Sequence, residues 1–222
     1  MADSKSSRGA VDAPRVGTQA HWGQVYNGAH PSRLGWYEDR ATSSLVLVDR
    51  CLLTPDDLII DVGAGSSALI DHLLLRGFRN LAAIDVCAAA LARTKERLGQ
   101  AAGQIRWITD DISRPGALNG VENIGLWHDR ALLHFLVDGE DVREYLNSLR
   151  GTVRVGGYVI IVCFAVGGAP RCSGLQVKNH NADSIALILG RDFELVDHFD
   201  HTHFTPGGEQ RPYVYTLFRR VS

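Results

Sequence analysis

The residues with the clearest chemical meaning in this sequence are two glycines and three aspartates, in a fixed order. Gly63 and Gly65 lie in Asp61-Val62-Gly63-Ala64-Gly65-Ser66-Ser67, and Asp85, Asp111 and Asp129 follow in turn. The glycines let the backbone turn tightly and approach a ligand with no Cβ in the way. A carboxylate at Asp85 can accept both hydroxyls of a ribose. One at Asp111 can accept from an exocyclic amine such as that of adenine. Any single Asp at such a place is as readily a helix cap or turn residue. The ordered set describes a nucleoside-like pocket.

The segments around these residues have the periodicities needed to position them. Strands are expected at 58–62, 81–84, 105–108, 124–127 and 158–164, with helices at 40–53, 68–76, 88–98 and 138–151. Thr42 or Ser43 can cap the first of these helices. Each marked residue then falls just beyond the carboxyl end of a strand, where open α/β sheets bind their ligands. Strands alternating with helices imply βαβ units and a parallel sheet. The tail differs: 193–203 and 213–219 alternate in polarity and are joined through Pro206-Gly207-Gly208, as in an antiparallel hairpin. The expected fold is therefore α/β: a Rossmann-like, doubly wound, mostly parallel seven-stranded sheet with a C-terminal antiparallel β-hairpin. One domain is expected over 18–222, with a cap at 18–54 and the core at 55–222. Residues 1–17, small, polar and interrupted by Pro14, read as a disordered tail with no apolar signal segment.

Composition narrows the function. The 222 residues carry 23 basic and 25 acidic side chains, a net charge of −2. That balance leaves no basic surplus for a nucleic-acid backbone. No apolar run is long enough to span a bilayer. Cys51, Cys87, Cys163 and Cys172 are too few and scattered for a disulfide scaffold. A cytoplasmic protein acting on a small molecule is expected. The 23 glycines mostly read as punctuation between strands and helices, and Gly63 and Gly65 alone argue directly for a ligand.

Two cofactors compete for the pocket. Gly63-x-Gly65-x-x-Ala68, with Asp85 beyond it, also fits a dinucleotide fingerprint. Three features favour S-adenosylmethionine. Asp61 lies in the strand just before the glycines, placed for the amino group of a methionine moiety. A long segment precedes the loop, whereas a dinucleotide fold often begins with it. The chain also ends in an edge hairpin, without a separate substrate domain.

With these residues in view, the sequence resembles the class I S-adenosylmethionine-dependent methyltransferases from His21 to Arg220. DVGAGSS at 61–67 corresponds to their acid-x-Gly-x-Gly-x-Gly loop, with Ser67 in the third glycine's place. By the same match Ile84-Asp85-Val86 is the ribose-binding turn, and Asp111-Ile112 faces adenine. A closer likeness is to a group of small bacterial methyltransferases. The matching segments are His21-Trp22...Val25-Tyr26, Trp36-Tyr37, the stretch Trp127-His128-Asp129-Arg130-Ala131...His134-Phe135-Leu136, Cys172-Ser173-Gly174-Leu175, and His203-Phe204-Thr205-Pro206...Gln210. Phe204 and Gly168-Ala169-Pro170 depart from that group's pattern. The front half is also similar to lysine methyltransferases of elongation factor 1A and citrate synthase. That likeness implies that Trp22, Tyr26 and Trp36 close over the cofactor. Those enzymes have Glu-Lys-Gly where this chain has His128-Asp129-Arg130.

Methyl transfer from a sulfonium is an in-line displacement, so alignment and exclusion of water are the main tasks. A base is needed only for a nucleophile that arrives protonated. His128, Asp129 and His134 are the catalytic candidates. The cofactor candidates are Trp22, Tyr26, Trp36, Asp61, Gly63, Gly65, Asp85, Val86, Asp111, Ile112 and His128. Arg130, Cys172, His203 and Gln210 are candidates for the acceptor. His201-x-His203 with Cys172 lacks the tight spacing of a metal site, and no metal is expected. The acceptor is expected to be a small molecule with a sulfur, nitrogen or oxygen nucleophile. A protein lysine, a non-catalytic nucleoside-binding module and a nicotinamide oxidoreductase are the rivals.

Overall fold

A computed structural model describes residues 19–222; the expected tail at 1–17 lies outside the described residues. Five parallel strands form most of the sheet: β1 (Leu58–Val62), β2 (Leu81–Asp85), β3 (Ile105–Thr109), β4 (Ile124–Arg130) and β5 (Val153–Phe164). Two two-residue strands follow, β6 (Arg171–Cys172) and β7 (Leu175–Gln176), paired with each other in a small separate ribbon. The long hairpin strands β8 (Phe193–Phe204) and β9 (Gln210–Arg220) complete the main sheet, whose order is β3-β2-β1-β4-β5-β9-β8. β9 runs antiparallel between β5 and β8.

Six α-helices are present among the described residues: α1 (Gln19–Gly28), α2 (Thr42–Val48), α3 (Leu69–Leu75), α4 (Ala88–Leu98), α5 (Gly139–Thr152) and α6 (Ala182–Leu189). Alternate strand residues feed two cores. On one face Ile59, Leu126, Ile160 and Leu217 pack with Leu45, Leu47, Leu69 and Leu73. On the other Ile60, Trp127, Ile161 and Phe218 pack with Tyr145, Leu149, Ile185 and Leu189. A period-2 strand covered on both faces produces this division. Each such side chain contributes about 1.5–3 kcal/mol by leaving water.

The structure corrects several local expectations. The helix expected over 40–53 is only Thr42–Val48; Ala41 is its N-cap, with no side-chain cap bond, so neither Thr42 nor Ser43 caps it. Strand β4 runs on through His128 and Asp129 to Arg130, held between β1 and β5 over its length. β5 begins at Val153 rather than beyond Gly157. Its pairing jumps from Ile124↔Val153 to Leu126↔Tyr158, and Gly156, at φ +81°, absorbs the extra residues. His134 lies in a short 3-10 turn, Leu133–Phe135, ahead of the helix that follows β4. Among the described residues no helix is long and apolar enough to cross a membrane.

Candidate functional site

The carboxyl ends of β1, β2, β3 and β4 open into one cleft, roofed by α1 and the segment that leads into α2. Asp61, Gly63, Asp85, Val86, Asp111, Ile112, His128 and Arg130 line it, with Trp22, Tyr26 and Trp36 from the roof.

Backbone shape builds the glycine end. Gly63 and Gly65 have φ of +67° and +50°, a region L side chains rarely adopt. A Cβ on Gly63 would lie 2.6 Å from Leu132, and one on Gly65 would collide with the Tyr26 hydroxyl. Gly65 itself does not line the cleft; it acts as the close approach beneath Tyr26. The Gly65 N–H donates to Asp85 Oδ2 at 2.8 Å, and the Cys87 N–H donates to Oδ1 at 2.7 Å. The two bonds fix the carboxyl at the strand end, facing the cleft. Burial, with some repulsion from Asp61, pushes its pKa up to about 6 despite those donors.

Asp111 is partly committed to its own turn. Its Oδ1 accepts from the Ser113 N–H at 2.9 Å and the Ser113 hydroxyl at 2.6 Å, and Arg114 stands 3.4 Å from Oδ2. Ile112 beside it is buried and supplies an apolar wall. In the roof, Trp22 packs edge-on against both Trp36 and Phe135, at 5.8 and 5.1 Å between ring centres. Tyr26 meets Trp36 at 6.1 Å.

Asp61 and His128 are register partners on β1 and β4. The His128 Nδ1–H donates to Asp61 Oδ1 at 2.7 Å, and Nε2 lies 2.9 Å from the Ser44 hydroxyl. All three side chains are buried against the cleft wall. Ser44 was not among the candidates. The available signal was a hydroxyl immediately before the apolar run Leu45-Val46-Leu47-Val48.

Asp129 and His134 stand outside the cleft. Asp129 points to the opposite core, where its carboxyl accepts from the Tyr145 hydroxyl at 2.7 Å and from the N–H groups of Leu132 and Leu133. Full burial raises its pKa to about 6. Its role there is to cap the turn that follows β4. His134 is fully buried, and its Nδ1 accepts from the Phe164 N–H at 3.2 Å. Burial, then the charges of His180 and Arg130, holds its pKa down to about 3.

The other end of the cleft is assembled from distant segments. Arg130 donates to the Trp36 carbonyl at 3.0 Å and pairs with Glu38 at 2.8 Å, with its guanidinium over the Tyr213 ring. Cys172 and Tyr213 line this end, as do Tyr37 and Glu38, which were not among the candidates. Burial raises the Cys172 thiol pKa, although Arg211 lies 3.7 Å from its sulfur. His203 faces a second, shallower groove, which it shares with His201 and Glu38; its Nε2–H donates to the Gly35 carbonyl at 3.1 Å. Gln210 is exposed at the start of β9 and lines neither. His201 and Cys172 thus belong to different openings.

Residues 60–161 match a family model described as a methyltransferase domain. That segment, just under half of the chain, is what is similar to the methyltransferase-domain family. A 93-residue segment is 32% identical to EEF1A lysine methyltransferase 4 of Mus musculus, covering 41% of this chain; the match spans about a third (35%) of that relative's length. Among solved structures, a methyltransferase from Anabaena variabilis superposes with a TM-score of 0.71 at 17% identity, covering 97% of this chain and 100% of that one. The 1,6-didemethyltoxoflavin-N1-methyltransferase of Burkholderia thailandensis, solved with 1,6-didemethyltoxoflavin and S-adenosylhomocysteine, gives 0.69 at 20% identity, over 96% and 94% of the two chains. These likenesses establish the Rossmann-like methyltransferase fold.

Proposed function

We propose that this chain is an S-adenosylmethionine-dependent methyltransferase that methylates a small-molecule nucleophile by in-line displacement. The observation that carries the reading is the sequence of groups along one cleft: the Asp61 carboxylate, the Gly63–Gly65 turn, Asp85 and Ile112. Two features of the wall suit S-adenosylmethionine. A Cβ at either glycine would collide with a side chain of the cleft wall, Leu132 or Tyr26, and Asp61 Oδ2 is a buried acceptor with no hydrogen-bond partner among the described residues. When bound, S-adenosylmethionine supplies an electrophilic methyl group on a sulfonium. Asp85 would accept the ribose hydroxyls, Ile112 would cover the adenine, and Asp61 would meet the amino group. Trp22, Trp36 and Phe135 would exclude water from the transfer path.

Among the described residues, two side chains of the cleft that could serve as a base, His128 and Glu38, are already engaged. Both nitrogens of His128 are engaged, Glu38 is paired with Arg130, and Asp129 and His134 lie elsewhere. That supports an acceptor which ionises easily, such as a thiol with an unperturbed pKa near about 8.5. The ligand pair in the Burkholderia structure supports a small molecule. The partial likeness to EEF1A lysine methyltransferase 4 favours the second reading, a protein lysine acceptor.

Calorimetry should show S-adenosylhomocysteine binding and NADH not binding; the reverse would sink the proposal. A panel of thiols, amines, phenols and carboxylates, assayed for S-adenosylhomocysteine release, should identify the acceptor class. A labelled protein band in lysate treated with radioactive methyl donor, with no turnover on the panel, would replace the small-molecule reading by the protein one. Retained cofactor affinity with no turnover on any fraction would point to a binding module.

A further inference from the structure

Ser44, His128 and Asp61 come from three elements, α2, β4 and β1, and form one buried line ending in the cleft. The carboxylate at 2.7 Å leaves Nδ1 of His128 no role but donor. The Ser44 hydroxyl, able to donate and accept, satisfies Nε2 at 2.9 Å. His128 therefore cannot rotate without losing two bonds, and it holds Asp61 by one oxygen. The other, Oδ2, is buried without a partner, beside the glycine turn and close enough to Asp85 to raise that group's pKa. An unpartnered buried carboxylate oxygen is an unfavourable arrangement by itself. A cationic ligand group placed there relieves it.

We propose that Ser44 and His128 are positioning residues for Asp61. Together they fix the carboxylate so that Oδ2 receives the ammonium of the methyl donor's amino-acid end. Because Ser44 belongs to α2, just after the roof segment that carries Trp36, the line also ties the roof to cofactor affinity. The inference rests on the methyltransferase reading, and the test separates the two.

S-adenosylhomocysteine carries the amino-acid end; 5′-methylthioadenosine keeps the nucleoside and lacks it. Both are titrated calorimetrically into wild-type protein and Ser44→Ala, with thermal melts confirming folded variants. Loss of one hydrogen bond in the line should weaken S-adenosylhomocysteine about tenfold and leave 5′-methylthioadenosine within about twofold. Equal weakening of both ligands, or of neither, overturns the proposal. His128 provides a second arm that does not depend on Ser44→Ala folding. In His128→Asn the side-chain amide sits where Nδ1 does and can still reach Asp61, whereas in His128→Gln it reaches toward Ser44 instead. The Asn variant should bind S-adenosylhomocysteine more tightly than the Gln variant; equal affinities, or the reverse order, contradict the proposal. If the wild-type protein binds neither ligand, the methyltransferase reading itself fails, and this inference with it.

Discussion

The two ends of the cleft are built by different means. At the glycine end, backbone N–H groups and positive φ angles do the positioning, within a stretch that runs from Gly63 to Cys87. Asp85 is held by two main-chain donors, and the glycines leave space because they lack a side chain. At the Arg130 end, side chains from Trp36–Glu38, β4, β6 and β9 meet across the fold, and a largely buried ion pair is the fastener. The first end depends on local conformation and tolerates few substitutions at a few positions. The second depends on long-range assembly and on keeping its charges matched.

The sharpest way to break this contrast is Arg130→Met, which leaves Glu38 without its cation. Removing one partner of a buried pair should cost about 3 kcal/mol of folding stability, measured by urea denaturation. The double variant Arg130→Met with Glu38→Gln should recover part of that loss. A loss below about 1 kcal/mol would show that the pair behaves like a surface bridge and does not fasten the site. A comparable effect is expected from the ionisation of Asp85, at the glycine end. Its pKa is raised from the unfolded value near 3.8 to about 6, so burial favours the protonated form. Its contribution to stability is fully present below pH about 3.8 and is lost as pH rises through about 6, a change of about 3 kcal/mol. Asp85→Asn should flatten that part of the pH–stability curve; an unchanged curve would mean that Asp85 titrates as if exposed.

Gly65→Ala probes the glycine end's dependence on backbone shape. Strain at positive φ together with the collision at Tyr26 should cost about 2 kcal/mol and weaken S-adenosylhomocysteine at least tenfold by calorimetry. Trimming the obstacle with Tyr26→Phe should relieve only the collision, leaving the backbone strain. The smallest effect is expected from Gln210→Ala. Its exposed side chain lines neither opening, so kcat/KM on the identified acceptor should change less than about twofold. A larger loss would extend the Arg130 end outward along β9.

The same contrast explains which residues were legible. Strands β1 to β3 and their marked turns follow from period-2 apolar runs that break into Gly or Asp, a purely local signal. Asp61, Asp85 and Ile112 reached the cleft wall for that reason. Asp129 has the same local signature at the end of β4, yet it faces the other way. Successive strand residues alternate sides, and β4 runs three residues beyond the expected end at Trp127, so His128 faces the cleft and Asp129 faces Tyr145. His134 in Ala-Leu-Leu-His-Phe-Leu has the look of a catalytic residue after a strand. The 3-10 turn buries it against Phe164, with its ring bonded to main chain. Ser44 went unread because a small hydroxyl in an apolar helix carries no mark of its partner.

By itself, then, the sequence determined the order of strands and helices, the parallel core with its antiparallel end, and the glycine turn with its carboxylates. Those features depend on residues near one another in the chain, where periodicity and backbone freedom act directly. Only the tertiary structure decided that His128 joins Ser44 to Asp61, that Arg130 pairs with Glu38, and that Asp129 and His134 serve the core. Each of these outcomes turns on which face of a strand or turn a side chain occupies, and on what the fold brings opposite it. A buried polar group must find a partner wherever the packing supplies one, and that partner can be many residues away.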